Sequence, residues 1–177
     1  MNPFGFSPTI PRMANSKAGS IKTRPATEAD VPAVLGFIKS LADYEKLSHA
    51  VAANEELLRQ HLFGPRPAAE VILAECDDVP IGFATFFQTF STFVGQPGIW
   101  LEDILVLPEH RGRGVGQILL REVARVAFER NAGRLEWSVL DWNTPAIEFY
   151  RKVGAVAQDD WTTYRITGES LRRLVTG

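Results

Sequence analysis

The spacing of apolar residues changes several times along the chain, and each change predicts an element. Residues 21–24 read as a short strand that Pro25 stops. Thr27 with Asp30 three positions on resembles an acidic capping box, so a helix is predicted to begin there. Val31, Val34, Leu35, Ile38 and Leu41 follow at helical spacing and give it a buried stripe. Asn54 ahead of EELLRQHLF predicts a second helix, halted by Gly64-Pro65. The pattern then turns to β-rich runs over 71–75 and 81–90, divided by a hairpin turn at Asp77-Asp78-Val79-Pro80. Residues 99–107 form another apolar strand with Glu102 and Asp103 set into it. Helical spacing resumes over 117–130 through Ile118, Leu119, Val123, Val126 and Ala127, with Gly133 expected to end the helix. A strand over 135–140 follows. Thr144 and Pro145 suit the N-cap and first turn of a helix over 146–153, which Gly154 closes. A strand around 161–166 and a short helix around 169–175 complete the order β-α-α-β-β-β-α-β-α-β(α). The fold class is α/β (α+β): a mixed sheet flanked by helices, without internal repeats.

Composition narrows the setting. A chain of 177 residues with 45% hydrophobic and 23% charged positions suits one globular domain. No apolar run approaches the roughly 18 residues of a membrane span, so no membrane association is expected. The first twenty residues are rich in Pro, Gly, Ser and Asn and read as a flexible tail over 1–20, leaving the folded domain at 21–177. A single cysteine, Cys76, allows no internal disulfide and fits a reducing cytoplasm; in a predicted strand it reads as a small buried residue. His49, His61 and His110 lack ligand spacing, so no metal is expected. Residues 1–24 hold four of the 19 basic residues and no acid, which leaves 15 basic against 21 acidic residues beyond them. That acidic body argues against nucleic-acid binding and accords with a cationic ligand.

The segment Arg111-Gly112-Arg113-Gly114-Val115-Gly116-Gln117 lies between a strand and an amphipathic helix. Alternating glycines let the backbone turn sharply and bare its N–H groups, and the next helix adds its own unpaired donors and its dipole. The result is an anion cradle suited to a pyrophosphate, with Arg111 and Arg113 available for charge-assisted contacts. The loop ends Gly-Val-Gly-Gln rather than Gly-Lys-Ser/Thr, which excludes a Walker A site. Its GxGxG spelling and its place two-thirds along the chain make a dinucleotide site a poor match.

At these residues the chain resembles the GNAT superfamily of N-acetyltransferases. Arg111-x-x-Gly114-x-Gly116 after the strand Ile104-Leu105-Val106 looks like the family's acetyl-CoA signature. Asn143-x-x-Ala146-x-x-Phe149-Tyr150-x-x-x-Gly154-Ala155 looks like its second signature, although Ala155 stands where many members carry a bulkier residue. The resemblance implies the acyl-CoA N-acyltransferase fold, with a central mixed and mostly antiparallel sheet, and acetyl-CoA as co-substrate. It implies that main-chain groups of Ile104, Leu105 and Val106 meet the pantetheine arm and that Arg111, Gly112, Arg113, Gly114, Val115, Gly116 and Gln117 grip the pyrophosphate. Asn143 and Ala146 would line the cofactor's far side. Leu41-Ala42-Asp43-Tyr44-Glu45-Lys46-Leu47, Leu101-Glu102-Asp103-Ile104 and Trp142-Asn143-x-Pro145-Ala146 resemble the diamine branch, the spermidine/spermine and thialysine acetyltransferases. In that branch Tyr44 and Glu45 would contact the amine, and the protein would be a homodimer.

Amine attack on a thioester needs a neutral amine, a polarised carbonyl and a stabilised leaving thiolate. Tyr150 is the candidate acid, since a phenol near pKa 10 can hydrogen-bond or protonate a departing thiolate. Glu102 is the candidate to take the ammonium's proton or to hold the cation. Asp103 is expected on the opposite side of the strand if pairing is regular, and a β-bulge would change that. The reading is an N-acetyltransferase of small cationic amines acting by direct attack in a ternary complex. Another amine (an aminoglycoside, an amino acid or a protein N-terminus) and a CoA-binding module without catalysis stand as alternatives.

Overall fold

Five strands hydrogen-bond in the order β1-β2-β3-β4-β5, which is also their order along the chain. The computed structural model describes residues 19–177; the tail expected over 1–20 lies outside the described residues except for its last two positions. β1 (Ile21–Pro25), β2 (Glu70–Cys76), β3 (Val79–Ser91) and β4 (Gln96–Val106) run antiparallel, and β5 (Leu135–Glu136) joins β4 in parallel. The chain divides into two compact units, one up to Trp137 and one from Ser138 onward.

In the first unit, α1 (Val31–Tyr44) covers one face of the sheet. Its Val34 and Phe37 meet Val71, Leu73, Phe83 and Leu105, and the Phe37 and Phe83 rings stack with centroids 5.4 Å apart. α3 (Val115–Glu129) packs across β1 to β4 on the other face, burying Val115, Leu119, Leu120, Val123 and Ala127. The alternation of side chains along a strand sorts these two layers: Ile72, Ala74, Ala84 and Phe86 serve α3, while their neighbours serve α1.

Local chemistry explains the joints. Asp77 and Asp78 adopt φ of 52° and 64°, which makes the β2–β3 connection a two-residue type I′ turn. Asp30 accepts from the Thr27 main-chain N–H at 2.7 Å and pairs with Arg24 at 2.7 Å, while Arg24 also reaches buried Glu75 at 2.7 Å. The Arg24 guanidinium holds the Asp30 carboxyl well below the usual carboxylate range. One cation thus ties β1, β2 and the entrance of α1 together. Asn54 caps α2 (Glu55–Leu58) by accepting from the Leu57 N–H at 2.9 Å, and a π turn over Arg59–Phe63 carries that helix to Gly64.

Three boundaries differ from expectation. α3 is left through Asn131, at φ 53°, rather than at Gly133; asparagine tolerates that left-handed geometry. β5 has two residues instead of the six expected, so β4 beyond Trp100 has no strand neighbour on its β5 side among the described residues. In the second unit, α4 (Thr144–Lys152) starts one turn position early because Asn143, not Thr144, is its N-cap, accepting from the Ala146 N–H at 3.4 Å. Pro145 then occupies the first turn, and Gly154 closes the helix at φ 90°. The strand expected around 161–166 is absent there. A strand needs a partner, and no strand lies among the described residues of this unit, so Trp161 and Tyr164 remain exposed. α5 (Gly168–Thr176) ends the chain.

Candidate active site

The 111–117 loop takes the backbone that the glycine pattern requires. Gly112 and Gly114 sit at φ 73° and 79°, in the left-handed region that a side chain resists. Gly114 is the N-cap of α3, whose first internal bond runs from the Ile118 N–H to the Gly114 carbonyl at 3.0 Å. The N–H groups of Val115, Gly116 and Gln117 precede that bond and point outward from the helix start. A Cβ added at Gly112 or Gly114 would meet nothing within 4 Å, so open space lies over the turn. Main-chain donors, the helix dipole and that space fit a diphosphate.

The two loop arginines are engaged within the protein. Arg111 Nε donates to the Val106 carbonyl at 3.0 Å, and its guanidinium carbon stands 5.0 Å from the centroid of the Tyr44 ring. Arg113 lies 3.2 Å from His110 Nδ1 and 3.8 Å from Cys76 Sγ. On β4, Leu105 is a core residue, while Ile104 and Val106 are half-buried. These three pair with Ala84, Phe83 and Gly82 of β3, and on the other side β5 pairs only with Ile99 and Trp100.

The carboxylates are arranged by an irregularity. Thr85 pairs with Asp103 and Phe86 with Leu101, so Glu102 is the extra residue of a β-bulge. Regular alternation would have set Asp103 and Glu102 on opposite faces. The bulge instead leaves Asp103 on the α1 side, in phase with Leu105, and lets Glu102 Oε2 accept from Trp100 Nε1 at 2.9 Å. Burial pushes the Asp103 carboxyl up to about 6, with repulsion from Glu102 and Glu45 adding to it. Glu45, which caps the C-terminus of α1 directly after Tyr44, is also pushed up by burial. Glu45, Glu102 and Asp103 therefore share one field, beside an aromatic ring. Asp103 is the residue that sequence reasoning left out of the site; the signal was two adjacent acids inside an apolar strand.

The second signature lies in the second unit. Asn143 is buried, Tyr150 is half-buried with its ring 5.4 Å from that of Phe149, and both stand on α4. Asn143, Ala146 and Tyr150 recur at i, i+3 and i+7, which sets them on one helical face. Asp159 and Asp160 are exposed. Among the described residues, no group of three His, Cys, Asp or Glu gathers to hold a metal ion, and no helix is long and apolar enough to cross a membrane.

Known proteins resemble this chain in sequence and fold. The acetyltransferase (GNAT) family matches over residues 37–155. Thialysine N-epsilon-acetyltransferases of Mus musculus and Sus scrofa are 34% and 36% identical over 166 residues, spanning 88% of this chain and 97% of theirs. The L-ornithine N5-acetyltransferase of Arabidopsis thaliana is 31% identical and covers 95% of this chain and 91% of its own. Among solved structures, an integron cassette protein from the mobile metagenome of V. cholerae superposes with a TM-score of 0.75 at 26% identity, covering 89% of this chain and 99% of that one. The nest over α3, the β4 edge and these likenesses agree: the chain belongs to the acetyltransferase (GNAT) family, on the branch of the thialysine acetyltransferases, and is an N-acetyltransferase from a family whose co-substrate is acetyl-CoA.

Proposed function

We propose that this enzyme acetylates a primary amine of a small di- or polyamine or a thialysine-like amino acid, by direct attack in a ternary complex. The observation that carries the substrate class is the half-buried Asp103 carboxyl under the charges of Glu102 and Glu45, with Tyr44 preceding Glu45 at the end of α1. Glu102 and Glu45 repel a charge on half-buried Asp103, and a cation relieves that repulsion. A diamine brings two charges and a methylene chain for the Tyr44 face. The named activities of the relatives, on thialysine and L-ornithine, support the same class.

Acetyl-CoA, when bound, supplies the acetyl group as a thioester. In this reading the main-chain amides of residues 111–117 hold its diphosphate, and main-chain groups of Ile104, Leu105 and Val106 order its arm along the open edge of β4. Asn143 and Ala146 line its far side, a role that rests on the signature alone. Asp103, with its carboxyl near 6, is matched to receive the ammonium's proton at neutral pH, while Glu102, held by Trp100, keeps the cation in place. Tyr150 Oη then donates a proton to the leaving sulfur, again on the strength of the signature. No residue in this scheme becomes acylated, since proximity in the ternary complex supplies much of the acceleration.

Thiol release from acetyl-CoA with a panel of amines tests the proposal. Thialysine, ornithine and spermidine are expected to outrun an aminoglycoside and an N-terminal peptide. Activity on peptides alone, or CoA binding without turnover of any amine, refutes the substrate class. We further propose that residues 21–177 act as one N-acetyltransferase domain in the cytoplasm, and that the protein is a homodimer. The exposure of Trp161 (77%), Tyr164 (92%) and Leu174 (71%) supports an apolar surface for a second copy. A sedimentation mass near 19.6 kDa refutes the dimer.

A further inference from the structure

Arg111 holds two positions that the proposed reaction needs. Its Nε takes the Val106 carbonyl, a main-chain acceptor in the stretch assigned to the arm of acetyl-CoA. Its guanidinium covers the Tyr44 ring, the face assigned to the amine. Glu45 follows Tyr44 at once, and its charge is felt at Asp103. A guanidinium stacked on tyrosine satisfies the same cation–π attraction that would hold a substrate ammonium. Arg111 is therefore a stand-in cation supplied by the protein itself.

The stand-in is lightly held. Arg111 is exposed, and among the described residues it meets a neutral carbonyl and an aromatic face. It also opens the loop whose amides form the anion nest, so a diphosphate there would lie at the root of its side chain. A phosphate offers a guanidinium two parallel charge-assisted bonds, a stronger partner than either present one.

We propose that Arg111 couples the two substrate sites: in the free enzyme it occupies the Tyr44 face and the Val106 carbonyl, and a diphosphate in the 111–117 nest draws it away, so that donor binding opens the acceptor site. The idea rests on the substrate reading above. It makes binding ordered, donor before amine. It also makes the coupling reciprocal, each ligand strengthening the other by one common factor. At the lower end of their usual strengths, the displaced cation–π contact and neutral hydrogen bond set that factor at roughly three- to tenfold.

Calorimetry with thialysine as the amine, and CoA without its acetyl group to prevent turnover, reads the factor directly. Wild-type enzyme is expected to bind thialysine about three- to tenfold more tightly in saturating CoA than without it. Arg111→Gln is expected to bind thialysine without CoA as tightly as the wild type does with it, and to lose the response to CoA. Equal wild-type affinities with and without CoA overturn the coupling, as does an R111Q affinity without CoA no better than the wild type's. The wild-type comparison needs no variant, so a poorly folded R111Q does not shield the proposal. If thialysine fails to bind wild-type enzyme in either condition, the substrate reading falls first; binding that ignores CoA defeats the coupling alone.

Discussion

Replacing Asp103 by asparagine separates what the site does from what it costs the fold. The Asp103 carboxyl is displaced from 3.8 to about 6, by burial first and by Glu102 and Glu45 after it. At 1.36 kcal/mol per pH unit the displacement corresponds to about 3 kcal/mol, and water reaching the half-buried side chain reduces this to about 2 kcal/mol. The sign follows from proton linkage. The folded state holds this proton more tightly than the unfolded state, so its stabilising effect is complete below about pH 4 and is lost as pH rises through 6. Asparagine is neutral throughout and escapes that loss. The variant should therefore gain about 4–8 °C in Tm over wild type at pH 7.5 relative to their difference at pH 4, taking about 2–4 °C per kcal/mol for a chain of this size. Comparing the two pH values cancels any packing penalty of the amide and the titration of groups such as Asp30. The same variant should lower kcat about 100-fold, since the group proposed to take the ammonium's proton is lost. Scanning calorimetry at both pH values and thiol-release kinetics read the two effects. A Tm difference that does not change with pH would show that Asp103 ionises freely, and the argument from the shared field would fail.

Three other substitutions probe the remaining parts. Tyr150→Phe should cut kcat by about 100-fold, the lower end of what a positioned acid contributes, with the KM for acetyl-CoA unchanged within about twofold; full turnover removes Tyr150 from the chemistry. Gly114→Ala places a methyl group on a left-handed residue facing open space, at a cost of about 1–2 kcal/mol. It should lower Tm by a few degrees and weaken CoA binding in calorimetry, and tight CoA binding in a folded G114A argues against the nest. Trp100→Phe keeps the ring but removes the donor to Glu102, and should raise the amine KM roughly fivefold, the worth of about 1 kcal/mol, while leaving CoA affinity intact. An unaltered amine KM would mean that the indole plays no part in holding Glu102.

Much of this architecture is legible residue by residue. The stripe through Val31 and Val34 marks α1 because burial repeats at the helical period, and both are fully buried. Asp77-Asp78 and the alternating glycines of 112–116 demand positive φ, and those at Asp77, Asp78, Gly112 and Gly114 have it. The bulge escapes detection because Glu102 and Asp103 are equally out of place in an apolar strand, and only pairing with β3 decides which residue is extra. The strand expected at 161–166 fails for a related reason: aromatic and β-branched composition reports willingness to pair, and pairing depends on a second strand. Arg111 shows the limit at the site itself. Its loop is readable from glycine spacing, but the choice of Tyr44 and the Val106 carbonyl over solvent depends on where α1 ends in space.

The extra residue in β4 has a consequence for how this sequence can vary. Up to Leu101 the strand is in one phase, with Ile99 and Leu101 turned toward α3; from Asp103 onward it is in the other, with Leu105 turned toward α1. Excising Glu102 would restore regular alternation with Thr85 still opposite Asp103 and Phe86 still opposite Leu101, so Ile99, Leu101 and Leu105 would all keep their layers. Position 102 is thus free to disappear as well as to change identity, and a gap there in a related chain would signal a missing carboxylate and a straightened strand over an unchanged core.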